Sequence, residues 1–286
     1  MAGSLSNIQS YHVRSNSLPS RPHPITSEVD QHLTRLRSSQ TTSSSSSSLI
    51  CLEINGLQDL HDCVDKMLQL PLIQQALGQD QQNKLVNELL NGSLRILDVS
   101  SIAKDSLLQT KECVQGLQSV LRRRRGDEIS SEVKKYLTTR KSVKKTIKKA
   151  LKGSMENKCS SKISEELEMI TMLREVEAIT FAVFESMLSL ISGPKASSKS
   201  GWSLVSKLIH SKRIPCEEED QETYMNEFAK VDAALSNLTS KSDNIICVQN
   251  QLKELESSIQ DLEEGIECLS RHLIKSRVCL LNIFNN

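Results

Sequence analysis

His61, Asp62 and Cys63 stand in a row, and an imidazole, a carboxylate and a thiol are the parts of a base-activated cysteine nucleophile. Their spacing works against that chemistry. On a helix, adjacent side chains leave the axis about 100° apart, so the three cannot converge on one atom. They read as ordinary groups on a helix surface. The eight cysteines, at 51, 63, 113, 159, 216, 247, 268 and 279, contain no C-x-x-C pair and no His spacing of a zinc site. Reduced thiols are the expectation, with no metal and no cofactor. The chain also lacks G-x-G-x-x-G, G-K-[ST], H-E-x-x-H and G-x-S-x-G, which cradle phosphates, hold zinc or present a serine nucleophile. The expectation is a protein that is not an enzyme.

Two groups of residues carry charge chemistry instead. From Leu121 to Lys152 there are 13 Lys and Arg against three acids. Arg122, Arg123, Arg124, Arg125, Lys144, Lys145, Lys148 and Lys149 are the candidate anion-binding residues of that stretch. Its apolar positions, Val133, Leu137, Val143, Ile147 and Leu151, form interrupted rows with lysines spread around them. Such a helix suits an anionic lipid surface, nucleic acid or an import receptor. Equally, it suits a solvated bundle face balanced by the acids of Glu217 to Asp220. Tyr136 is its one aromatic residue, which gives no support to stacking on single-stranded nucleic acid. The second group is Arg14-Ser15-Asn16-Ser17-Leu18-Pro19. Phosphate on Ser17 would follow Arg14 by three residues and precede Pro19 by two, a layout captured by the Arg cluster of 14-3-3 proteins. 14-3-3 proteins are therefore candidate partners, and a serine-rich tail with a chance match is the bland alternative.

The elements that must position these residues are helical. Among 286 residues, aromatics are only 3% and apolar residues 37%, a Leu-rich profile that packs helices rather than sheets. The formal charge is +1, so any electrostatic role must be local. The first 48 residues hold 15 of the 43 serines, ending in the run Ser43 to Ser48. Residues 1–50 are therefore expected to be a disordered tail, and 51–286 a helical body. Within the tail, Val29, Leu33 and Leu36 recur at helical spacing; a short helix from about Ser27 to Arg37 would be marginal alone. No run reaches the ~18 apolar residues of a membrane span, because Leu173 to Ile191 contains Glu175, Glu177 and Glu185. The expected compartment is the cytoplasm or nucleus. A chloroplast is the minority reading, since no acid precedes Glu28 and Ser and Arg abound, as in transit peptides.

Leu57, Leu60, Val64, Met67 and Leu68 share one helix face until Pro71 interrupts it. Asp80 to Arg125 carries a stripe long enough for one rod or for more than one helix, with Gly92 and Gly116 as bending points. Asp127 to Lys152, Ser161 to Ser192, Trp202 to Arg213 and Glu217 to Leu238 read as further helices. The last helix has the sharpest period: Ile245, Val248, Leu252, Leu255, Ile259, Leu262, Ile266, Leu269 and Leu273 alternate spacings of three and four. The seam from Val248 to Leu273 fits one helix of an intramolecular bundle or the stripe of a dimeric coiled coil, which would make the protein a homodimer.

These segments, in this order, resemble the plant BYPASS-related family. The matching residues are R-S-N-S-L-P-S-R-P-H-P at Arg14 to Pro24, G-L-Q-D-L-H-D-C-V-D-K-M-L-Q-L-P at Gly56 to Pro71, and G-S-L-R-I-L-D-V at Gly92 to Val99. K-E-C-V-Q-G-L-Q-S-V-L-R-R-R-R-G follows at Lys111 to Gly126, L-R-E-V-E-A-I-T at Leu173 to Thr180 and W-S-L-V-S-K-L at Trp202 to Leu208. The run from Ile259 to Asn282, I-Q-D-L-E-E-G-I-E-C-L-S-R-H-L-I-K-S-R-V-C-L-L-N, completes the set. Leu72-Ile73-Gln74 departs from the relatives, which often carry Thr before Gln. The resemblance implies a helical plant protein connected with root and shoot development, without an established catalytic activity or ligand. Together with the pattern it gives an all-α fold, a bundle of long helices with a C-terminal heptad-patterned helix behind a disordered Ser-rich tail. The expected role is a non-enzymatic interaction or regulatory protein. A peripheral membrane or nucleic-acid binder acting through 122–152 is the alternative.

Overall fold

The computed structural model describes residues 23–40, 46–79, 83–123, 126–155, 168–193, 225–238 and 242–285. Among the described residues the chain forms helices and no strand. They are α1 (Pro24–Gln40), α2 (Ser47–Leu68), α3 (Pro71–Leu77), α4 (Asn83–Arg123), α5 (Gly126–Met155), α6 (Glu168–Ser192), α7 (Glu227–Ser236) and α8 (Ser242–Phe284). The all-α bundle of long helices is as expected.

Local chemistry sets the ends. Pro24 and Pro71 occupy first-turn positions, where a missing N–H costs nothing. Ser46 caps α2, its Oγ accepting from the Leu49 N–H at 3.4 Å, and Asn226 caps α7 by accepting from the Ala229 N–H at 2.9 Å. Gly193 ends α6 with φ +75, a left-handed backbone that glycine adopts freely, and its N–H closes onto the Ser189 and Leu190 carbonyls. Neither Gly92 nor Gly116 interrupts α4, which runs for 41 residues, about 62 Å.

α8 lies along α2, α4 and α7, while α4 also packs on α5 and α6. One continuous core results, because each helix buries a single stripe: Leu57, Leu60 and Met67 from α2, Leu107, Val114 and Leu117 from α4, Val183, Phe184 and Met187 from α6. The seam of α8 is buried throughout, from Val248 at 3% exposure through Leu252, Leu255, Ile259 and Leu262 at 0% to Ile266 and Leu269 at 1% and Leu273 at 3%.

The boundary of the serine-rich tail is corrected. Residues 24–40 are a helix, with Val29, Leu33 and Leu36 buried against α2 and α6, and Ser47 and Ser48 of the six-serine run already belong to α2. A lone helix of this length is marginal; tertiary cover for its three-residue stripe is what holds it. The helical body therefore starts at Pro24, and residues 1–22 lie outside the described residues, as do Trp202 to Arg213.

Candidate functional site

The basic helix divides into two sides with different work. On its inward side, Tyr136, Arg140 and Lys144 recur at four-residue steps and converge on Asp232 of α7. Arg140 is 2% exposed; its Nε and Nη2 donate to Asp232 Oδ1 at 3.0 Å and Oδ2 at 3.2 Å, and Nη2 also donates to the Ile191 carbonyl at 2.7 Å. Lys144 Nζ meets Asp232 Oδ2 at 2.8 Å, and the Tyr136 hydroxyl donates to Oδ1 at 3.0 Å. The Arg140 guanidinium lies 5.2 Å from the Phe228 ring centre. Burial pushes the Asp232 carboxyl upward, but Arg140 and Lys144 outweigh it and hold the group below its ordinary value. Burial also raises the Tyr136 hydroxyl, so it acts as a neutral donor. This cluster ties α5, α6 and α7 together. Of the anion-binding candidates among the described residues, Lys144 is thus the one drawn to a carboxylate of the fold.

The outward side is different. Lys134, Lys141, Lys145, Lys148, Lys149 and Lys152 are exposed and, among the described residues, make no ion pair or side-chain hydrogen bond. Lys135 pairs with Glu132 at 3.4 Å. Arg122 and Arg123 are exposed at the end of α4, while Arg124 and Arg125 lie outside the described residues, as do the acids Glu217 to Asp220. Of the candidate set, the structure brings Lys145, Lys148 and Lys149 onto one face. It adds Lys134, Lys141 and Lys152 to them.

A second polar cluster lies inside the bundle. Asp65 of α2 is fully buried; its Oδ1 accepts from Ser276 Oγ at 2.5 Å, and its Oδ2 meets His272 Nδ1 at 3.0 Å and Lys275 Nζ at 3.3 Å, all three from α8. His61, one turn earlier, is not the surface group its sequence suggested. It is 4% exposed, with Nε2 2.9 Å from Thr180 Oγ1 of α6. Since that hydroxyl donates to the Val176 carbonyl at 2.7 Å, the ring nitrogen is the donor. Burial lowers the His61 imidazole to about 4, so it is neutral at physiological pH. Asp62 turns away to Lys66 at 2.5 Å, and Cys63 Sγ toward Glu28 at 3.9 Å. The triplet points three ways, as helix geometry requires. Glu177 of α6 reaches into α4 at Gly92, where any Cβ would stand 1.8 Å from its Oε1. Burial raises this carboxyl to about 7 against the opposing pull of Arg95 and Arg174.

Two hollows open in the bundle, and one of them borders these groups. A cavity of about 50 Å³ touches His61, Glu177 and Ser276 within mostly apolar walls. A cleft of about 570 Å³ opens between α1, α2 and α6 beside Leu36, Glu53 and Glu185. Among the described residues no group of His, Cys, Asp and Glu is placed to hold a metal, and no helix is long and apolar enough to cross a membrane. The phosphorylation candidates Arg14, Ser17 and Pro19 lie outside the described residues.

Residues 53–283 match the family described as Protein BPS1. The chain belongs to that family. No curated protein and no solved structure matches it. Membership connects the chain with plant development, as the resemblance implied. The segments that carried the resemblance now acquire a spatial meaning. Gly56 to Pro71 supplies His61 and Asp65, Gly92 to Val99 supplies Gly92 and Arg95, Leu173 to Thr180 supplies Glu177 and Thr180, and Ile259 to Asn282 supplies His272, Lys275 and Ser276. Three of these stretches are thus joined by hydrogen bonds inside the bundle, and the fourth meets them where Gly92 makes room for Glu177. These bonds set the register of α2, α6 and α8, because sliding any of them would leave a buried polar group without its partner, and sliding α4 would bring a side chain against Glu177 at the place of Gly92. His61 had a readable signal: it stands four residues after Leu57 and three before Val64, on the apolar face.

Proposed function

We propose that the chain is a non-enzymatic interaction and regulatory protein of plant root and shoot development, working in the cytoplasm or nucleus. It acts by presenting the outward lysine face of α5 on a rigid helical body. One observation carries this reading: among the described residues, six lysines stay exposed and unpaired on α5, while Arg140 and Lys144 of the same helix are paired with Asp232. Like charges gathered on one face repel, and an anionic partner relieves that cost. A second contact is proposed for the N-terminal segment, where phosphate on Ser17 would recruit a 14-3-3 protein through its Arg cluster. In calorimetry, a phosphopeptide spanning Tyr11 to Pro22 should bind with a Kd of about micromolar or better, and its unmodified form should not. Equal binding by both would remove 14-3-3 proteins as partners.

The main proposal is tested by charge reversal. Lys141→Glu/Lys145→Glu/Lys148→Glu changes only exposed side chains, so its melting temperature should match the parent's. It should nevertheless fail to restore root and shoot growth in plants deprived of the protein. Full restoration would overturn the role given to this face.

A further inference from the structure

We propose that the outward face of α5 docks onto an anionic lipid bilayer by electrostatic adsorption, without insertion; this rests on the reading of that face as the contact surface. Lys134, Lys141, Lys145, Lys148 and Lys152 follow one another at steps of seven, four, three and four residues. They form a single row opposite the buried Tyr136, Val143 and Ile147. From Lys134 to Lys152 the row is about 27 Å long, held straight by a helix packed against α4, α6 and α7. A flat row of charge on a rigid body matches a flat field of opposite charge.

The composition of the face selects among anionic partners. The exposed residues from 134 to 152 are all Lys, Thr or Ser. Protein interfaces are anchored by Trp, Tyr and Arg and are poor in Lys, and none of those anchors is exposed here. Nucleic-acid readers use Arg forks or stacked aromatics; Arg140 and Tyr136 of this helix are both turned inward onto Asp232. Lysine acts as a compact point charge, which suits a diffuse array of lipid headgroups. Insertion is ruled out by the packing, because the apolar stripe of α5 is covered by the bundle. Adsorption should therefore be reversible and should weaken as salt shortens the screening length.

The test is cosedimentation of the full chain with phosphatidylcholine vesicles, with and without phosphatidylserine, across a salt series. Binding is expected only with phosphatidylserine, and it should fall steeply with salt. Lys141→Glu/Lys145→Glu/Lys148→Glu should lose at least tenfold in affinity. Lys84→Glu/Lys104→Glu/Lys253→Glu alters exposed lysines of α4 and α8 with the same change in net charge, and it should stay within about twofold of the parent. Equal binding to neutral vesicles, insensitivity to salt, equal loss in both triple variants, or tighter binding to duplex DNA at the same salt would each overturn the proposal. Failure here with continued failure of the α5 variant to restore growth would leave the face active toward another partner. Restored growth would instead remove the face itself from the function.

Discussion

Glu177 shows at the scale of one residue how burial becomes a pH dependence. Its carboxyl is raised from 4.5 to about 7 by burial, with Arg95 and Arg174 pulling the other way. Between those two values the unfolded chain ionises while the folded one holds its proton, so this group's share of stability declines as pH rises from 4.5 to 7. His61 runs in the opposite direction. Its folded value, about 4, lies below the ordinary 6.5, so its contribution is complete above 6.5 and is lost as pH falls toward 4. Glu177→Gln keeps the shape and removes one of the two opposed slopes. The variant should be more stable than the parent at pH 8 by roughly 2 kcal/mol, little different at pH 4, and should gain stability between the two. Denaturant melts across that range check this; a variant no more stable than its parent at pH 8 would mean that Glu177 is not held neutral. Gly92 belongs to the same argument, since the carboxyl occupies the space of a side chain there.

Among the elements, α8 was the most legible, α1 much less so, and α3 gave no signal beyond Pro71. The seam from Val248 to Leu273 alternates spacings over the whole helix, a pattern few other structures satisfy. What the pattern left open was the partner, and the structure gives it: α2, α4 and α7 of the same chain. The stripe from Val248 to Leu273 is therefore covered by the chain's own helices. Leu255→Asp/Leu262→Asp should place two charges where exposure is 0% and cost several kcal/mol, on the order of polar insertion into a core. Circular dichroism should show lost helix and a lowered melting temperature; an unchanged melt would make the seam irrelevant to folding. In α1 the stripe has only three members, too few to hold a helix before its cover is known. The charge count of α5 was legible, but its division was not. Asp232 lies 92 residues beyond Arg140, and nothing local marks that pairing.

At the scale of the whole molecule, a net charge of +1 conceals an uneven arrangement. Interior charges are paired across helices, as with Asp65 and Asp232, and act to fix register and docking. The lysine face of α5 is turned outward and unpaired among the described residues. Function and stability should then separate. The most direct measurement is growth restoration in plants deprived of the protein, with Glu177→Gln and Lys141→Glu/Lys145→Glu/Lys148→Glu compared at equal protein level. We expect Glu177→Gln to restore root and shoot growth fully while its stability at pH 8 rises, and the lysine variant to restore none while its stability is unchanged. Restoration by the lysine variant, or its loss in a folded Glu177→Gln, would contradict the assignment of function to the surface of α5.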